Sequence, residues 1–144
     1  MSRIKLPKEH PNFKGRSCTD CGEFKSADNF SLSRDTRSLT GVAMVAKCKP
    51  CNEFRKYKCF LKRRYGITYD DYERILSEQN FGCAICGEKH SNNKRTSGKL
   101  FVDHCHKTNI VRGLLCSRCN HALGQFDDDP IKLKCAILYL ERIK

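Results

Sequence analysis

Apolar and charged positions alternate with a helical period between Glu53 and Gly66. Phe54, Tyr57, Leu61 and Tyr65 recur at spacings of three and four, and Arg55, Lys56, Lys58, Lys62, Arg63 and Arg64 fall largely on the other faces. The spacing predicts a helix over 53–65, with Gly66 as its C-terminal cap. "TYDDYERILSEQNFG" predicts a second helix, capped by Thr68, with Asp70 and Asp71 in the favourable first turn and Tyr72, Ile75 and Leu76 facing inward. "LFVDHCH" and "IVRGLLC" predict two strands joined by the polar turn "KTN", in which Asn109 is a turn residue. After Cys119, "NHALGQF" begins a helix. At the end, "DDDPIKLKCAILYLERIK" offers acidic caps and Pro130 at the first helical position. Ile131, Cys135, Ile137, Leu138 and Leu140 make that helix broadly apolar, so it either joins a dimer interface or covers the core of its own module.

The remaining stretches are polar. Residues 1–16 read as a flexible basic arm. "SLSRDTRSLTGVAMVAK" reads as a hydrophilic loop followed by a strand-like run that ends at Cys48, and "EKHSNNKRTSGK" as a loop excursion.

Cysteine changes this picture most. The 144 residues include 11 cysteines, and eight of them fall in four C-x-x-C pairs. "CTDC" (Cys18, Cys21) is answered by "CKPC" (Cys48, Cys51), and "CAIC" (Cys83, Cys86) by "CSRC" (Cys116, Cys119). Two residues between thiolates let both sulfurs reach one ion, and two such knuckles close a tetrahedral shell with no position left for water. The reading is two structural Zn²⁺ per chain, which a small chain with modest apolar content needs as staples. Cys59, Cys105 and Cys135 remain. Cys59 and Cys135, in helical stretches, are expected to be small buried hydrophobes.

Charge adds a partner. The net charge is +12, and it is uneven: residues 1–65 carry 16 Lys/Arg against 6 Asp/Glu, whereas residues 66–144 carry 12 against 10. Such a balance points to a polyanion, most commonly nucleic acid. The cations of the 53–65 helix are then phosphate contacts rather than a solvated face. No run of about 18 apolar residues is present, so no membrane span is expected. The basic N-terminus lacks the apolar core of a secretory signal, which suggests a cytoplasmic protein with reduced thiols.

Once the zinc thiolates are assigned, "FVDHCHKTNIVRGLLCSRCN" still holds hard donors: Asp103, His104, His106 and Asn120. "CAICG", then "VDHCH", then "VRGLLCSRCNHALGQF", preceded by "YGITYDDYERILSEQNFGC", resembles the phage recombination endonuclease VII family of ββα-metal (HNH-like) nucleases over about residues 65–126. The N-terminal cysteine module resembles zinc modules that precede such domains in other phage proteins. The resemblance implies an α+β, zinc-stabilised ββα-metal fold with flanking helices. It implies a catalytic Mg²⁺, replaceable by Mn²⁺, on Asp103 and Asn120, with His104 as general base. The substrate would be DNA in the cytoplasm of a bacterial host. Imidazole titrates near neutrality, as activation of water requires, and Mg²⁺ takes few protein oxygens while keeping waters.

Strict strand alternation would put Asp103 and His104 on opposite faces, so a twist, a bulge or a metal at the strand edge is required. His106 either contacts phosphate or orients the site, or is a surface or packing histidine. Arg112 either contacts backbone phosphate or supports the hairpin. Cys105 stands where the family often has a second acid, and Leu123 where some members have a glutamate. Both departures bear on substrate range.

The expectation is therefore a Mg²⁺-dependent DNA endonuclease acting on branched DNA such as four-way junctions, leaving a 5′-phosphate and working as a homodimer. Its expected organisation is an arm (1–16), a zinc module with basic helix (17–65) and a nuclease domain (66–144). One alternative keeps the chemistry but targets a duplex sequence, as restriction or homing enzymes do. An alternative of another class is a non-catalytic zinc module that binds nucleic acid.

Overall fold

Short antiparallel strand pairs, each adjoining a cysteine knuckle or a helix that begins at one, build an α+β structure. The computed structural model describes residues 14–34, 42–89 and 98–142. Most of the expected basic arm, the middle of the loop before the Cys48 strand and most of the 88–99 excursion lie outside these residues. The chain divides into two units, 1–60 and 61–144.

In the first unit, β1 (Gly15–Ser17) pairs with β2 (Phe24–Ser26) across the Cys18–Cys21 knuckle. After a single 3-10 turn at Ala27–Asn29, β3 (Phe30–Arg34) pairs with β4 (Val42–Cys48), in a register that sets Phe30 opposite Cys48. Phe30, Cys18 and Cys48 are buried together, and Cys51 packs against them. Full burial of one phenylalanine contributes about 2–3 kcal/mol, which is small beside the entropy of ordering four strands. Metal crosslinking of the thiols is what can offset the remainder.

Helix α1 (Lys49–Tyr65) begins four residues before the expected start at Glu53 and runs across the division between the units. The second half of the Cys48–Cys51 knuckle is itself its first turn, where Pro50 needs no N–H partner. Its C-terminus follows expectation: Gly66 adopts φ 73° and its N–H donates to the Lys62 carbonyl at 3.0 Å. Leu61 is fully buried, but Phe54 at the other end of the stripe is exposed and carries the Lys58 ammonium 4.7 Å above its ring.

In the second unit, α2 (Tyr69–Glu78) starts with a capping box in which Asp71 and Thr68 each satisfy the other's backbone N–H. Tyr72 is buried and its hydroxyl donates to the Leu100 carbonyl at 3.2 Å; Ile75 and Leu76 are half-buried. Strands β5 (Phe101–His104) and β6 (Val111–Leu115) pair antiparallel. The remaining core is Leu61, Leu100, Val102, Leu114 and Leu115, with Cys83 and Cys116. Gln79, just past α2, clamps this hairpin. Its amide donates to the carbonyls of Leu114 (2.8 Å) and Gly82 (2.9 Å), and its oxygen accepts from the Leu114 N–H at 2.8 Å.

Two further boundaries differ from the sequence expectation. Strand β5 ends at His104, so Cys105 and His106 belong to the turn, which the Cys105 N–H closes on the Ile110 carbonyl at 2.9 Å. Asn109 takes the left-handed conformation of a turn residue, φ 57°. Helix α3 (Ser117–Gln125) starts inside the second knuckle, with Cys116 as its N-cap, rather than after Cys119. Helix α4 (Pro130–Glu141) is capped by Asp129 and has Pro130 in its first turn as expected, but it buries no residue. Ile131, Ile137, Leu138, Tyr139 and Leu140 are all more than half exposed, while Leu133 and Ala136 are half-buried and Leu133 lines a cleft beside the core residue Leu115. Cys59 and Cys135 are likewise exposed, correcting their reading as buried hydrophobes. Both lie on helix faces that nothing in the described chain covers.

Candidate metal centres and candidate active site

The four thiols of each set converge. Cys18, Cys21, Cys48 and Cys51 place their sulfurs within 4.8 Å of one another, as do Cys83, Cys86, Cys116 and Cys119. The Cys86 and Cys116 sulfurs are 3.7 Å apart, close to the roughly 3.8 Å edge of a tetrahedron built on 2.3 Å zinc–sulfur bonds. Backbone amides point at the sulfurs: Cys18 Sγ accepts from the N–H groups of Cys48 (3.3 Å) and Asp20 (3.4 Å). The Cys48 and Cys21 backbone bonds hold the Cys18 thiol down to about 6. In the same cluster the Cys48 side chain, with burial, pushes Cys51 up to about 12. Four such sulfurs cannot all ionise unless a cation shares the site, and that is the chemistry of a closed zinc shell. Both clusters fit four-thiolate zinc sites.

The second zinc site sets the geometry of the region between its knuckles. Cys116 caps α3 and its carbonyl accepts the Asn120 N–H at 3.0 Å, which holds Asn120 one turn into the helix. Across the hairpin, Asp103 pairs with Gly113 and His104 with Val111, so Arg112 is an extra residue on β6. The bulge lies on β6, so Asp103 and His104 remain consecutive residues of β5. Gly113 is required there. Its φ is 158°, and a Cβ would lie 2.8 Å from the Gln79 side-chain oxygen.

A cleft of about 210 Å³ brings together Asp103, Asn120 and His106 among the residues expected from the sequence, with His121, Gly124, Gln125 and Asp128. His104 is not among its lining residues. It stands beside the cleft, its ring 5.0 Å from that of His106 and 5.3 Å from Tyr65, which meets it edge-on at 71°. Burial first, then the neighbouring His106 and Arg64, lowers the His104 pKa, which favours the neutral, proton-accepting imidazole.

Arg112 is not free for phosphate in this state. Its Nε and Nη2 donate to the two Asp103 carboxylate oxygens at 2.7 and 2.9 Å, and Nη2 also lies 3.2 Å from Asp128 Oδ2. The six cations expected to contact phosphate, Arg55, Lys56, Lys58, Lys62, Arg63 and Arg64, are all exposed on α1, as is Lys49 at its start. Lys56 pairs with Glu53 at 2.6 Å, and Lys62, Arg63 and Arg64 form the last turn.

Sequence reasoning missed His121, Gln125 and Asp128 in the cleft, and Tyr65 beside His104. His121 and Gln125 had a signal, since they fall one and five residues after Asn120 on one helix. Asp128 lay hidden in "DDDP", where all three acids read as caps.

The model of the family described as Recombination endonuclease VII matches residues 58–142. The chain is 48% identical over 131 residues to the Gene 59 protein of Mycobacterium phage L5, covering 88% of this chain and 74% of that protein. It is 35% identical over 133 residues to the Gene 59 protein of Mycobacterium phage D29, covering 90% and 75%. Among solved structures it is similar to the beta-beta-alpha-Me type II restriction endonuclease Hpy99I, with a TM-score of 0.40 and 23% identity, over 92% of this chain and 68% of that one.

Proposed function

We propose, from the premise that the chain belongs to the recombination endonuclease VII family, that it is a divalent-cation-dependent DNA endonuclease selecting branched DNA such as four-way junctions. One observation carries the reading. Asp103, from a bulged hairpin, and Asn120, from a helix capped by a zinc-ligating thiol, converge on one cleft inside the matched stretch. A carboxylate and an amide oxygen are donors that suit Mg²⁺, with Mn²⁺ as substitute, and no thiol is among the described residues that line the cleft. A cation held by Asp103 and Asn120 would supply positive charge against that developing on the phosphate and the 3′-oxygen.

The chain's own residues do the rest. His104 is the general base: its neutral imidazole takes a proton from water, whose oxygen bonds to phosphorus as the bond to the 3′-oxygen breaks. The products carry a 5′-phosphate and, once the departing 3′-oxygen has taken a proton from solvent, a 3′-hydroxyl. Tyr65 packs edge-on against the imidazole and limits its rotation. Lys62, Arg63 and Arg64, with Arg55, Lys56 and Lys58 earlier on α1, contact backbone phosphates, as does His106 from the cleft wall. The zinc ions hold shape and do no chemistry. Residues 17–65 thus serve binding and 66–144 serve cleavage. The exposed apolar face of α4 supports a homodimer, in which two single-site chains cut two strands.

A second reading, sequence-directed cleavage of duplex DNA, is favoured by the extra zinc module and the basic α1, which resemble the parts of a DNA reader. The test is an end-labelled four-way junction beside a linear duplex of the same arm sequence, each with Mg²⁺, with EDTA and with His104→Ala. Junction-selective cutting that needs Mg²⁺ and is lost in the variant supports the primary reading. Equal cutting of both, or cutting of long duplex DNA only, supports the second. DNA that is bound yet intact under Mg²⁺ and Mn²⁺ returns the chain to a non-catalytic binding module.

A further inference from the structure

The carboxylate on which the cleft depends is already neutralised from within the chain. Arg112 occupies both oxygens of Asp103 through a two-pronged contact, and the nitrogen that completes it also bonds Asp128. Arginine keeps its charge at any working pH, so a cation can reach Asp103 only if the guanidinium shifts. Asp128 gives it somewhere to go. It borders the same two clefts as Asp103, and its place is fixed by the turn between α3 and α4. There the Asp128 N–H donates to the Leu123 carbonyl and the Asp129 N–H to that of Phe126, both at 3.0 Å. The three consecutive acids have different tasks: Asp127 pairs with Lys132, Asp128 with Arg112, and Asp129 caps α4. Leu123, at the position where a glutamate would supply a further acid, instead lines the neighbouring cleft beside Leu115 and Leu133.

Resting on the reading of Asp103 as a cation ligand, we propose that Arg112 is the internal counter-ion of Asp103, and that Asp128 is the positioning residue that retains Arg112 when a divalent cation takes Asp103. Removing either partner of the Arg112–Asp128 pair then has opposite effects on cation affinity. Without Arg112 the cation meets no competitor. Without Asp128 the guanidinium has only Asp103 and holds it harder.

The test is Mn²⁺ binding to the full zinc-loaded chain without DNA, measured by titration calorimetry, for wild type, Asp103→Asn, Arg112→Gln, Arg112→Lys, Asp128→Asn and the double variant Arg112→Gln/Asp128→Asn. Arg112→Gln is expected to tighten binding about tenfold, the scale of one charge-assisted hydrogen bond. Arg112→Lys keeps the charge but lacks the fork, and should also tighten it. Asp128→Asn should weaken binding, and should have no further effect once Arg112 is glutamine. An unchanged affinity in both Arg112 variants would overturn the proposal. So would an Asp128→Asn loss of the same factor in both backgrounds, because Asp128 would then act on the cation directly. If Asp103→Asn leaves Mn²⁺ binding unaltered, the cleft is not the cation site, and the functional reading falls with the inference.

Discussion

Gln79 is where the fold and the cleft can be tested together. Its side chain makes three hydrogen bonds, two of them to Leu114, a residue with no exposed surface. Gln79→Ala leaves the buried Leu114 N–H and carbonyl without their side-chain partner, and water has little access to replace it. At about 1 kcal/mol per neutral bond, rising where a buried group is left unmatched, the loss is about 3 kcal/mol. For a unit of this size that is a fall in melting temperature of roughly 12–24 °C. Gln79→Glu should cost at least as much. It keeps one acceptor for the Leu114 N–H but faces the Leu114 and Gly82 carbonyls with a charge and no donor. The assay is thermal unfolding by far-ultraviolet circular dichroism at saturating zinc, paired with a zinc count to show that both thiolate sites remain filled. DNA cleavage should fall alongside stability even below the melting range, because Leu114 adjoins Gly113, which pairs with Asp103 across the bulge. A loss under about 1 kcal/mol in both variants would refute the clamp. An unchanged cleavage rate in a destabilised Gln79→Ala would refute its link to the site.

Gly113→Ala should destabilise by about 1–3 kcal/mol, from the positive φ and the contact with Gln79, and combining it with Gln79→Ala should recover part of that loss in the same melts. Zinc measured by a colorimetric chelator should reach two equivalents per chain, falling to one in both Cys18→Ser and Cys116→Ser; a full complement in either would refute the assignment. His104→Ala should lower the cleavage rate by about 10²–10⁴ with DNA binding retained, read by single-turnover cutting and gel shift. Asp71 is held below its ordinary value of 3.8, first by the Thr68 backbone N–H. Its contribution to stability is therefore present above that value and lost as pH falls through the lower folded one. Asp71→Asn should thus melt lower than wild type near neutrality and converge with it on acidification.

Some of this was legible in the chain and some was not, and the division follows range. The zinc ligands could be read because each knuckle is local, with two residues between thiols that must share an ion. The starts of α2 and α4 and their caps could be read for the same reason, although α2 ends at Glu78, short of the expected stretch to Gly82. Starts of α1 and α3 were misplaced because a knuckle read as a loop is also a first helical turn; Cys116 is at once ligand and cap. Asp103 and Asn120 were found through the family resemblance, since nothing local says that a strand end and a helix residue 17 positions later share a cleft. The sequence also showed that the hairpin needed some irregularity, but not that Arg112 would be the extra residue.

The hidden residues have a common physical character. Gln79 acts 35 positions away on Leu114, and Asp128 acts on Arg112 only because two consecutive residues, Asp127 and Asp128, both adopt left-handed backbone with φ 55° and 56°. Neither fact has a periodicity, and both side chains are polar, so hydrophobic patterning passes over them. Yet both bear on Asp103, Gln79 through the strand that pairs with it and Asp128 through the guanidinium that binds it. A site assembled from a short hairpin and a nine-residue helix has too little apolar burial to hold such groups by packing alone. Zinc fixes the ends of the segment, and directed hydrogen bonds fix the middle. It follows that substitutions at Gln79, Arg112 and Asp128 should disturb cation binding or cutting at full zinc occupancy, whereas substitutions at the thiols should remove metal and fold together.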